Sequence, residues 1–285
     1  MISATRYRAL AEINRQTALG REISDLQSNV SSGKRLTVPS DDPIASSRVS
    51  DIRRVQANQV AWKSNANTGA SISAAADNRL GSVGTILDRA KDLVLAGRND
   101  TVSAADRKAN ATELRTLADQ IDNLAQSADP TGRPLFPTGT PISIPVSDTL
   151  AIPATASRDD VFGNVTTAGG TKTLSALLND AADALEESDP ALRPGKIDAS
   201  ITALDAGAAH ITQQRADQGV RAQRFDSAKD DLLTTGDQLK AERSTLEDTD
   251  LTYSLAEFQA KQLALSASQT LFAQTTKSSL FDMLG

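Results

Sequence analysis

The sequence predicts a mainly α protein: an elongated bundle of long, coiled-coil-like helices, with its N- and C-terminal helices paired and a small β-rich insertion. Two heptad runs far longer than an ordinary helix point to the bundle, apolar stripes at both chain ends point to the pairing, and one proline-rich interval marks the insertion.

The first run opens at Ile52, Val55, Gln59, Trp62 and Ala66 and keeps a 3,4 spacing through Gly69, Ser73, Ala76, Leu80, Val83, Leu87 and Ala90 to Val94. It is weakest at Gly69 and Ser73. The second opens at Ile197, Ile201, Leu204, Ala208 and Ile211, then passes through Arg215, Gln218, Ala222, Phe225, Lys229, Leu232, Gly236, Leu239 and Arg243 to Leu246. As one helix that run would be roughly 75 Å long, too long for a compact sphere. Between the two runs, Leu114, Leu117, Ile121 and Leu124 mark a third helix with Ser103 as its N-cap, and Leu174, Leu177, Leu178, Ala181 and Leu185 mark a short fourth.

Residues 129–172 hold six of the ten prolines and five of the sixteen glycines, so helix cannot run through them. Ile142, Ile144 and Val146 alternate with polar residues and proline, and Leu150 and Ile152 follow, which predicts short edge strands or hairpins. The expected place for this insertion is the far end of a helical hairpin. At the chain ends, Leu19, Ile23, Leu26 and Val30 recur after Leu10 and Ile13, and Leu255, Phe258, Leu265 and Phe272 repeat the pattern. Each stripe is too narrow to hold a helix alone in water, and each is the economical partner of the other. The expected organisation is therefore a terminal coiled-coil domain (1–43 and 252–285), a helical rod domain (44–128 and 173–251) and the insertion (129–172).

Composition narrows the function. Aromatics are only 3% of the chain against 39% hydrophobic residues, which favours thin helix-on-helix seams over a thick core. Thirty basic against 36 acidic residues, a net charge of −6, argue against nucleic acid and anionic membrane as partners. Without cysteine there is no thiol nucleophile, thiolate metal site or disulfide scaffold. The N-terminal MISATRYRALAEINRQ lacks the apolar core and small-residue site of a cleaved signal peptide, and no apolar run approaches the roughly 18 residues of a membrane span. His210, the single histidine, sits inside a heptad run and is expected to pack or be solvated. The acidic pairs Asp41–Asp42, Asp159–Asp160, Glu186–Glu187 and Asp230–Asp231 fit caps and solvated faces. Gly169 and Gly170 lack the lysine of a phosphate loop and read as a turn. No catalytic, cofactor-binding or metal-ligating residue is expected, and the chain is not expected to be an enzyme.

The most specific string is SSGKRLTVPSDDP, Ser31 to Pro43. After Ser32, Gly33 can end a helix; Pro39 blocks its continuation, and Asp41 or Asp42 can cap a new helix with Pro43 at an early position. This string resembles the helix break of the bacterial flagellins and their hook–filament junction relatives. Leu87, Arg89, Leu93, Val94 and Asn99 are similar to the end of a conserved flagellin helix, and LEDTDLTYSLAEFQAKQLALSASQTLFAQTTKSSLFDMLG resembles that family's acidic break and amphipathic terminal helix. The ending Ser279, Leu280, Phe281, Asp282 and Leu284 looks more like the junction members than filament flagellin, as do Gly132, Leu135 and Phe136 with Val161, Phe162 and Gly163. Pro134 and Pro137 around Leu135–Phe136, and the shortness of the insertion, depart from the family pattern.

The resemblance implies an extracellular flagellar subunit, exported by the type III apparatus without a cleaved signal peptide. Its terminal helices would pair as an inner coiled coil, and Leu10, Ile13, Leu19, Ile23, Leu26, Val30, Leu255, Phe258, Leu265, Phe272, Leu280 and Phe281 would form the assembly interface. The implied partners are copies of itself, a neighbouring hook-associated protein and flagellin, with an export chaperone before assembly. A reduced filament flagellin is the close alternative, and a glycan- or receptor-binding surface protein the distant one.

Overall fold

The structure is a computed structural model that describes the backbone of residues 2–99, 101–129 and 131–281 and the side chains of residues 7, 10–99, 101–129 and 131–274. The helices are α1 (Ile2–Ser32), α2 (Pro43–Gly97), α3 (Ala104–Ala125), α4 (Leu174–Leu185), α5 (Arg193–Glu247) and α6 (Leu251–Phe281). Two antiparallel hairpins lie between α3 and α4: β1 (Ser143–Pro145) with β2 (Ala151–Pro153), and β3 (Val165–Thr167) with β4 (Gly170–Lys172). A π-helical turn at Asp159–Gly163 separates them. The chain divides into two compact units, residues 58–234 and residues 1–57 with 235–285.

The main core lies in the 58–234 unit, where α2, α3, α4 and α5 bury Leu80, Leu87, Leu114, Ile121, Leu178 and Ile197. Close helix approach here relies on glycine: a Cβ at Gly97 would fall 2.4 Å from Leu185 Cδ2. The helix starts follow capping chemistry. Ser103 Oγ accepts the Asp106 N–H at 3.1 Å to open α3, as the sequence predicts, and Thr173 Oγ1 accepts the Ala176 N–H at 3.1 Å to open α4. Gly169 lies in the β3–β4 turn and Gly170 begins β4 with φ +100°, so this pair is the turn expected of it.

The predicted heptad register of α2 is buried or half-buried at every position from Ile52 to Val94. Its weak middle is specifically packed. The Phe225 ring fills the space over Gly69, where a Cβ would meet Phe225 Cε1 at 2.2 Å. Ser73 is buried against Gln218, whose Nε2 donates to Ser73 Oγ at 2.6 Å. On α5, Arg215 stays exposed although it lies in register, and its guanidinium pairs with Asp77 at 3.1 Å.

The insertion departs from expectation in its placement. The β1–β2 hairpin does not lie at the far end of the helical hairpin; it folds back along it. Val146, Ile152 and Ala154 bury against Ala66 of α2 and Phe225 and Ala228 of α5, and Asn65 Nδ2 donates to Pro145 O at 2.9 Å. The reason is the hairpin's apolar face: two strands alone cannot bury it, and the small residues at the middle of α2 leave room for it.

A second part of the insertion closes the main core. Asp129 Oδ1 accepts from Thr131 Oγ1 at 2.6 Å, Thr131 N at 2.8 Å and Arg133 N at 2.9 Å. The Thr131 hydroxyl and the Arg133 N–H hold the Asp129 carboxyl below its ordinary pKa. Gly132, at φ +83°, completes the turn, and Leu135 N donates to Ser127 O at 2.8 Å. This loop delivers Phe136 to Phe162, edge to face, with ring centroids 5.1 Å apart and planes at 79°. His210 plays the packing role expected of it: its Nε2 donates to Asp160 O and Val161 O at 3.0 and 3.1 Å.

Between α4 and α5 the Lys196 ammonium bonds to Glu187, and that bond, with the Asp189 N–H, holds the Glu187 carboxyl at about 2. A depressed carboxyl stabilises the fold fully above its ordinary pKa and loses that contribution only as pH falls through the depressed value. A side-chain NMR titration of Glu187 is therefore expected to show a midpoint near pH 2, moving upward in Lys196→Met. An ordinary carboxyl midpoint in the unmodified chain would contradict the pairing.

Candidate functional site

The helix-break string and the terminal stripes singled out in the sequence belong to the unit formed by residues 1–57 and 235–285. Helix α1 stops at Ser32 because Gly33 adopts φ +69°, a left-handed conformation that ends a helix at little cost. Pro39 lies in the turn closed by the Asp41 N–H on Val38 O at 3.1 Å. The two aspartates divide the work left open by the sequence. Asp41 Oδ2 accepts the Val38 and Thr37 N–H groups, both at 3.0 Å, and these bonds lower its carboxyl pKa. Asp42 Oδ1 accepts the Ala45 N–H at 3.0 Å and caps α2, with Pro43 as the first helical residue.

The second break meets the first. Arg35 N donates to Glu247 O at 2.7 Å and Thr249 N to Gly33 O at 3.0 Å, forming an antiparallel bridge between Lys34 and Asp248. The Glu247 side chain is only 5% exposed and takes Lys34 Nζ at 3.3 Å, Arg243 Nε at 3.7 Å and the Arg53 guanidinium. Arg48 grips Glu242 through two bonds, at 2.7 and 3.0 Å, and Arg243 Nη1 donates to Gln56 Oε1 at 2.8 Å. Asp250 then opens α6 by accepting the Thr252 and Tyr253 N–H groups at 2.9 and 3.0 Å. Sequence reasoning located both breaks but missed Glu247, because no spacing distinguishes a glutamate that collects cations from one facing solvent.

Glu247→Gln keeps the shape and removes the charge that balances three cations. Since those cations are themselves substantially exposed, the expected loss is about 1–2 kcal/mol rather than the full cost of a broken buried pair. Denaturant unfolding of the full chain checks this, and an unchanged midpoint would show that the cluster stabilises nothing.

Beyond the breaks, α1 and α6 pack antiparallel. Lys261 Nζ bonds to Glu22 Oε2 at 2.8 Å and to Glu257 Oε1 at 2.9 Å, which raises its pKa, and Gln16 Nε2 donates to Ser268 Oγ at 3.3 Å. Leu19, Ile23, Leu26 and Val30 of α1, and Phe258, Leu265 and Phe272 of α6, are half-buried. Among the described side chains, no apolar residue of either helix is fully buried. Leu10, Ile13 and Leu255 stay exposed; near the start of α1 it is Glu12 and Gln16 that reach Ser268. Leu263 is also exposed, at 72%. Leu280 and Phe281 lie beyond the described side chains, and Asp282 and Leu284 beyond the described residues. Among the described residues, no cluster is placed to hold a metal ion and no helix is long and apolar enough to cross a membrane.

Two family models match the chain at the elements just described. The bacterial flagellin N-terminal helical region covers residues 4–139 and the bacterial flagellin C-terminal helical region covers residues 201–284, together well over half of the sequence. The chain belongs to the bacterial flagellin family. Its fold is that of solved hook-associated proteins. A putative flagellar hook-associated protein from Vibrio parahaemolyticus superposes with a TM-score of 0.64 at 20% identity, covering 73% of this chain and 100% of that one. Flagellar hook-associated protein 3 from Legionella pneumophila gives 0.62 at 13% identity, covering 70% and 98%. Xanthomonas campestris FlgL gives 0.60 at 17% identity, covering 68% and 99%. No curated protein matches the sequence at a significant level.

Proposed function

We propose that this protein is a structural subunit of the bacterial flagellum that joins hook to filament. The observation that carries the reading is the ordered pair of flagellin regions bracketing a fold shared, over nearly their whole length, with hook-associated proteins. In this reading residues 1–43 and 252–285 form the inner assembly domain, residues 44–128 and 173–251 the rod, and residues 129–172 the insertion. The subunit is part of the extracellular flagellum, exported without a cleaved signal peptide and held by an export chaperone before assembly. Its partners are copies of itself, a neighbouring hook-associated protein and flagellin; it needs no cofactor and catalyses no reaction.

The half-covered seam supports this reading. Helices α1 and α6 pair, yet they leave Leu10, Ile13 and Leu255 in water. They are already about half covered, so burying what remains exposed yields about 1 kcal/mol each, a drive that an added neighbour would supply. Heterologous packing of copies then propagates as a ring or helix. Leu280 and Phe281 complete the proposed interface. Removing residues 1–32 or 252–285 is expected to abolish incorporation into flagella while leaving the 58–234 core folded by circular dichroism; a truncated chain that still incorporates would refute the assignment.

The deciding experiment is deletion of the gene, followed by electron microscopy of cells and culture supernatant. Hooks without filaments, with flagellin shed into the medium, are the expected outcome. Normal hooks bearing shortened filaments would instead make the protein a reduced filament flagellin, and unchanged flagella would overturn both readings.

A further inference from the structure

The π turn and the strand before it are held to α5 by a row of side-chain donors. His210, Gln214 and Gln218 recur at four-residue spacing, which puts them on one face of the helix. His210 Nε2 donates to Asp160 O and Val161 O, Gln214 Nε2 to Asp160 O at 3.1 Å, and Gln218 Nε2 to Ala154 O at 2.7 Å. All three rungs reach main-chain carbonyls of one segment, Ala154 to Val161, in which Ala154, Thr155, Ala156 and Ser157 are buried in succession.

The last rung is shared. Gln218, 1% exposed, also donates to Ser73 Oγ at 2.6 Å, so one carboxamide of α5 ties the segment to α2. One turn away on α2, Gly69 offers no side chain, and Phe225 is covered there by Ile152 and Val146 of the hairpin. If the segment lifted, Gln218 would lose an acceptor while buried, and Phe225 would lose its cover; both changes act on the helix pair rather than on the insertion alone.

We propose that residues 143–161 are a strap that completes the α2–α5 seam, so that opening of the strap and loosening of the seam at residues 66–76 and 218–228 form one cooperative event. The insertion is then a working part of the helical pair, not a displayed appendage. The inference stands independently of the flagellar assignment, because it concerns the 58–234 unit by itself.

Amide hydrogen exchange on the full chain tests it. Gln214→Ala removes one rung without touching the seam. The expected result is that exchange at the strap and at helical residues 70–76 and 218–225 accelerates by the same factor, on the order of five-fold for one lost hydrogen bond. Faster exchange in the strap with unchanged seam amides would overturn the proposal, as would no change in either. Gln218→Leu gives a second reading: both regions should again move together if the variant folds, and Gln214→Ala decides the matter if it does not.

Discussion

Phe136→Ala is expected to cost the 58–234 unit about 4 kcal/mol. Phe136 is fully buried and packs edge to face on Phe162, within the cluster that also holds Leu135 and Val161. Truncation removes the buried ring area, leaves a cavity that the helical framework cannot collapse around, and breaks a ring pair worth about 0.5–1.5 kcal/mol beyond its area. Phe136→Leu retains most of the volume and is expected to lose roughly half as much. Denaturant unfolding of both variants checks the order; the ring pair is lost in both, so equal losses would mean that the cavity left by alanine contributes nothing of its own.

Gly69→Ala comes next. An alanine ordinarily gains about 1 kcal/mol over glycine inside a helix. Here the new methyl group would lie 2.2 Å from Phe225 Cε1, and the ring is fully buried, so it cannot swing clear. Overpacking costs of about 1–3 kcal/mol and upward outweigh the propensity gain, and a net loss of about 2 kcal/mol is expected. The sign is the informative part, since an exposed helical glycine would respond in the opposite direction. Phe225→Leu should relieve the clash, so the double variant is expected to be more stable than the two single losses added together. Strict additivity would show that the two residues do not meet.

Much of this fold is legible in periodicity. The heptads place α2 and α5, the leucine spacings place α3 and α4, and Gly33, Pro39 and Pro43 place the first break, because each signal is local and repeats or punctuates the chain. Gly69 and Ser73 show where periodicity stops being informative. In the sequence they read as a weak stretch of register, because a glycine opposite phenylalanine and a serine opposite glutamine register as missing hydrophobicity, although both are fitted contacts. The hairpin's position against the middle of α2 was illegible for the same reason: alternation marks a strand but not the surface it covers. At the assembly site the stripes of α1 and α6 were visible, whereas the exposure of Leu10 and Ile13, and the polar contact of Gln16 with Ser268, are revealed only by the pairing.

The meeting of the two breaks also has a kinetic side. Lys34 and Glu247 are 213 residues apart in the chain. Closing so long a loop from a disordered chain carries an entropic penalty on the order of 5 kcal/mol, and the bridge and ion pairs it brings together return little more than that. The contact becomes favourable once the intervening residues have folded and shortened the effective loop. Pairing of α1 with α6 is thereby expected late in folding, with contacts largely absent from the transition state. Substitutions at the bridge should accordingly speed unfolding while leaving the folding rate nearly unchanged.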